Sequence, residues 1–148
     1  MSAIKERLAH VMDRIEEARK RSPWHQEVTL VAVTKFHPLE DMEEAIRLGV
    51  TQVGENRVQE MEQKYKALTL PVTWNLQGHL QKNKVKKAVA MADLIQSGDS
   101  LEILEEITSE YGKQRLYDEK LNHLRFEYQH KPKRAKEGQN VTQLYYAK

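Results

Sequence analysis

The sequence predicts an α/β protein built on a parallel sheet, in the order α-(βα)4 followed by an atypical tail. Three observations carry this reading. Short β-branched runs alternate with segments of helical apolar spacing through short connections, the pattern of right-handed βαβ crossovers. The 148 residues suffice for one domain with a real core. Composition then changes near residue 112: residues 1–112 carry 15 Lys and Arg against 18 Asp and Glu, whereas residues 113–148 carry 9 against 4.

Residues 3–21 are expected to form an amphipathic helix, because Ile4, Leu8, Val11, Met12, Ile15 and Ala18 recur at helical spacing. Pro23 breaks it. Residues 28–33, VTLVAV, are expected to be a buried strand by their length and β-branched content, with Leu30 to Val33 apolar without a polar break. Pro38 suits the first turn of a helix that continues through Met42, Ala45, Ile46 and Leu48 to a stop at Gly49. VTQVGEN makes a short second strand and loop. Val58, Met61, Tyr65 and Leu68 then mark one helix stripe over about 57–68. VTWNL after Pro71 is the third strand, QKNKVKKAVAMA the next helix and LIQSG the fourth strand. Residues 100–112 close the series as a helix, with Ser100 as N-cap and Glu102 and Glu105 near its positive end. Spacing alone leaves open whether the sheet is doubly wound or part of a (β/α)8 barrel.

Several function classes lose support at once. Zero cysteines exclude a disulfide scaffold and a Cys-based zinc site. No apolar run approaches the ~20 residues of a membrane span, and no signal-peptide pattern opens the chain, so no membrane partner and a cytoplasmic setting are expected. Lys82, Lys84, Lys86 and Lys87 read as a solvated helix face, which gives little weight to nucleic acid. His37 and His79 have no His or carboxylate partner at metal-site spacing, and no metal is expected.

Parallel strands present functional residues at their C-terminal ends. Lys35 stands there after the first strand and Asn56 after the second. GHLQKNK follows the third strand and SGDS the fourth. A lysine partly desolvated in such a mouth loses its proton more readily, and the neutral amine can attack an aldehyde. A plainer reading has Lys35 end a strand and reach solvent, Asn56 cap a turn, and Gly54 and Gly78 only permit tight turns.

LVAVTK, VGENRVQE, WNLQGHLQKNK and IQSGDS, in this order and spacing, resemble the pyridoxal phosphate homeostasis proteins, single-domain relatives of the alanine racemase N-terminal barrel. The resemblance covers about residues 3–112. It implies that the fold is the N-terminal half of a (β/α)8 TIM-type barrel. It implies that Lys35 forms a Schiff base with pyridoxal 5′-phosphate (PLP) and that Asn56 lines the cofactor pocket. The implied role is a non-catalytic PLP carrier. The competing roles are a racemase-like PLP enzyme and a half barrel without ligand. Two motifs depart from the family: Trp74-Asn75-Leu76-Gln77-Gly78 stands where WHxIG is usual, and Gln96-Ser97-Gly98-Asp99 where HSVD is common.

A whole barrel takes roughly 200–250 residues and places its phosphate site after strands seven and eight. The family's later phosphate loops and arginine-bearing segment have no counterpart here, so the chain reads as truncated. Residues 113–148 lack an apolar period and read either as a disordered or partner-binding tail or as the product of a frameshift. Reading FEYQHKPKRAKEG (126–138) one base later allows LNINISQKEQKKG, which resembles the family's next strand, VNISxxExxKxG. Without that strand, the edge at Leu94 is expected to be exposed, the fold to be marginal, and the chain to self-associate.

Overall fold

The computed structural model describes residues 2–115, 125–129 and 142–145, the last two segments and Arg115 as backbone only. Helix α1 (Ala3–Arg21) is capped by Ser2, whose hydroxyl accepts from the Lys5 N–H at 3.2 Å. It buries no residue fully and rests on the rest of the fold through Leu8. There follow β1 (Ala32–Val33), α2 (Leu39–Arg47), β2 (Gln52–Glu55), α3 (Val58–Ala67), β3 (Thr73–Leu76), α4 (Val85–Met91), β4 (Leu94–Gly98) and α5 (Leu101–Arg115). A single 3-10 turn at Lys82–Lys84 leads into α4.

Strands β1 to β4 lie in chain order and pair in parallel, with Val33 opposite Gly54, Gly54 opposite Asn75, and Asn75 opposite Leu94. This is the α-(βα)4 run of half a barrel. Met42, Met61, Leu76, Val85, Ile95 and Ile107 fill the core between the strands and the helices and exclude water almost entirely. Each such side chain contributes about 1.5–3 kcal/mol by burial. Trp74 on β3 packs obliquely on Tyr65 of α3, with ring centres 5.6 Å apart. Ser100 caps α5 as expected, accepting from the Ile103 N–H at 3.2 Å.

Two expectations need correction. The first strand is neither long nor buried: only Ala32 and Val33 pair with β2, and Val28 and Val33 are 52% and 45% exposed. Among the described residues the strand lies at the edge of the sheet, with a neighbour on one side only, so its apolar run lacks the second partner that burial requires. The edge beyond β4, in turn, is not bare. Strand β5 (Arg125–Gln129) pairs with it in parallel, Leu94 opposite Arg125, and β6 (Thr142–Tyr145) adds to β5 antiparallel. Main-chain groups satisfy one another there whatever the side-chain period. The antiparallel β6 departs from the barrel pattern. The rest of residues 116–148 lies outside the described residues.

Candidate cofactor-binding site

The site forms where β1 and β2 end. Their register brings Val33 beside Gly54, and the Thr34 N–H donates to the Gly54 carbonyl at 3.0 Å. The two chains therefore leave the sheet side by side, Lys35 from one and Asn56 from the other. Lys35 is half-buried in a tight turn. The next residue, Phe36, has φ = 63° and 74% exposure. An aromatic residue in the left-handed region is strained, at a cost on the order of 1–3 kcal/mol unless its surroundings hold it. The Lys35 ammonium and the Arg57 guanidinium both stand over the Phe36 ring, 6.0 Å and 5.7 Å from its centre. The structure thus gathers Lys35, Phe36 and Arg57 at the mouth.

Asn56 lines a cleft of about 260 Å³ together with Arg57, His79, Gln81 and Lys84. Lys35 does not line this cleft. The loop after β3 is pressed onto the loop after β2. A Cβ on Gly78 would fall within 2.7 Å of the Asn56 carbonyl carbon, so only glycine admits this approach. Gly54 leaves room below the mouth, and a Cβ there would meet Gln77 Oε1 at 2.7 Å and Val31 Cγ1 at 3.2 Å.

The two histidines His37 and His79 each meet a carboxylate, contrary to expectation: His37 Nδ1 lies 3.3 Å from Asp41 Oδ2, and His79 Nδ1 lies 3.1 Å from Asp99 Oδ2. The first pair is one helical turn apart and the second is joined by the fold. The expected lysine face is solvated but engaged, with Lys82 on Glu102 at 3.0 Å and Lys87 on Glu62 at 2.8 Å.

Behind the mouth lies a buried polar network that the sequence reading missed. Lys64 Nζ donates to Thr34 O at 2.6 Å, to Glu55 Oε1 at 2.7 Å and to Glu60 Oε1 at 2.9 Å. Thr34 Oγ1 also donates to Glu55 Oε1, at 2.6 Å. The carboxylate of Glu55 is 0% exposed, and its Oε2 has no partner among the described residues. Burial pushes the Glu60 carboxyl up, but hydrogen bonds from Lys64 and the Phe36 N–H outweigh it and leave the group below its ordinary value. Two signals were legible. Lys64 stands three residues after Met61 and four before Leu68, on the apolar stripe of α3. Glu55 shares strand parity with buried Val53.

The Lys35 amine and the Arg57 guanidinium stand over one ring, Asn56 lines the neighbouring cleft, and Gly78 admits the loop after β3 against the Asn56 main chain. No family model matches the chain. The pyridoxal phosphate homeostasis protein of Aquifex aeolicus is 38% identical over 104 residues, which are 69% of this chain and 46% of that protein. Its namesake from Pasteurella multocida is 32% identical over 111 residues, 72% and 48% of the two chains. Among solved structures, PipY of Synechococcus elongatus PCC7942 with PLP bound superposes with a TM-score of 0.64 at 38% identity, over 76% of this chain and 50% of that chain. A protein from Bifidobacterium adolescentis superposes with a TM-score of 0.64 at 29% identity, over 76% and 51%. The chain spans about half the length of the curated relatives it matches, and over that half it is related in sequence and in fold to the pyridoxal phosphate homeostasis proteins.

Proposed function

We propose that this chain binds PLP through Lys35, with Asn56 beside it, as a non-catalytic carrier in PLP homeostasis. The observation that carries the reading is the half-buried Lys35 at the C-terminal end of β1, adjoining the Asn56 loop. When bound, PLP supplies an aldehyde able to condense with a primary amine. Lys35 offers that amine, Asn56 offers an amide donor and acceptor to the ring substituents, and Arg57 offers positive charge at the mouth. The names of the relatives support a carrier rather than a catalyst. A racemase-like enzyme would need a second acid–base group on the opposite cofactor face, and amino-acid α-proton exchange above that of free PLP would favour it.

The test is a spectral titration with PLP, then borohydride reduction and peptide mapping. The label should sit on Lys35 and vanish in Lys35→Ala. Asn56→Ala should weaken binding about tenfold, the loss of one or two hydrogen bonds. Label found chiefly on Lys82 or Lys84 would overturn the reading. The division at residue 112 belongs to the same proposal, supported by the change in charge balance there. The coding DNA decides whether the tail is out of frame: absence of the Asn-Ile-Ser reading one base later rules it out.

A further inference from the structure

We propose that Lys64 and Glu60 are positioning residues: from behind the strands, they hold the strained turn that presents Lys35. The inference deepens the reading of Lys35 as the cofactor lysine and rests on it. A lysine ammonium has three donors. All three of Lys64 are used, and each acceptor leads to the site: Thr34 O precedes Lys35, Glu55 precedes Asn56, and Glu60 Oε1 in turn accepts from the Phe36 N–H at 2.7 Å. Thr34 O also accepts from the His37 N–H at 3.1 Å, which closes the turn. Residues 34, 36 and 37 are therefore each tied down through the main chain, which fixes the backbone on both sides of Lys35. The left-handed Phe36 is the position a free chain would abandon first, since a non-glycine residue leaves that region when nothing holds it. Glu60 is the group that holds it, and Lys64 holds Glu60.

The test compares Glu60→Ala with Glu60→Gln in the full chain. Glu60 is half-buried, so both variants keep the fold, whereas the amide variant still offers an oxygen to Phe36. Two quantities are read: hydrogen exchange at the Phe36 amide against amides of β3 as control, and the initial rate of borohydride-trapped PLP labelling at Lys35 against surface lysines. Loss of the acceptor should speed Phe36 exchange and slow Lys35 labelling, each about tenfold, with surface labelling and β3 exchange unchanged. Glu60→Gln should stay within about twofold of the parent in both. Lys35 labelling that holds steady while Phe36 exchange accelerates overturns the proposal, as does a Phe36 amide that stays slow in Glu60→Ala. The double variant Glu55→Gln/Lys64→Met, which removes both buried charges together, should show the same two changes. Should the parent chain itself take no label at Lys35, the PLP reading fails, and Phe36 exchange still decides whether the network holds the turn.

Discussion

The ammonium of Lys64 on α3 lies 2.6 Å from the carbonyl oxygen of Thr34, the residue that precedes Lys35. A surface lysine would point away from the sheet; this one crosses the layer between α3 and β2 and ends among two carboxylates and a main-chain oxygen. Its removal leaves the fully buried Glu55 carboxyl without its cationic partner. Lys64→Met should therefore destabilise the fold by about 3–5 kcal/mol, the cost of breaking a buried pair from one side. Glu55→Gln/Lys64→Met should recover much of that loss. Denaturant titration of the two variants measures both values, and a single variant as stable as the parent would refute the buried-pair account.

Gly78→Ala tests the contact between the loops. The added methyl would enter the space of the Asn56 main chain, which cannot swing away as a side-chain tip could. The expected cost is about 1–3 kcal/mol, together with weaker PLP binding as Asn56 shifts. Unchanged binding at reduced stability would separate the loop contact from the cofactor site.

Acid should weaken the fold through α3. Hydrogen bonds from Lys66 and Lys87 lower the Glu62 carboxyl from 4.5 to about 2, and Glu60 is lowered as well. A carboxylate whose folded value lies below its unfolded one stabilises the fold above the unfolded value and loses that contribution as pH falls through the folded one. The contribution of Glu62 is therefore complete above about pH 4.5 and is lost toward pH 2. Glu62→Gln should be less stable than the parent at neutral pH, and the difference should vanish on acidification. A gap between the two that persists at pH 2 would exclude the ion pairs as its cause.

The free edge of β1 is where association should occur. Val28, Val33 and Phe36 are exposed near an edge that no other strand among the described residues pairs, and an apolar sheet edge recruits another strand. The chain should sediment above its 17.3 kDa, and Val33→Lys should shift it toward the monomer. A parent chain that is monomeric with a sharp unfolding transition would show that the edge is protected.

The sequence by itself determined the order of elements and the placing of Lys35 and Asn56 at consecutive strand ends. Period is a local property: Met42 and Met61 fall on their buried faces by helical spacing alone, and LIQSG became Leu94–Gly98 without a residue's error. What depends on neighbours was decided only in the tertiary structure. An apolar run is the same whether a strand has one neighbour or two, so VTLVAV could not reveal that β1 is an edge. The backbone pairs β5 and β6 without an apolar period, so the basic tail gave no sign of the strands it adds. Thr34, Glu55, Glu60 and Lys64 are separated by up to 30 positions along the chain. Their meeting arises from the crossover that lays α3 against β2, within reach of the Thr34 carbonyl, and only that packing turns a lysine on an apolar stripe into the support of the Lys35 turn.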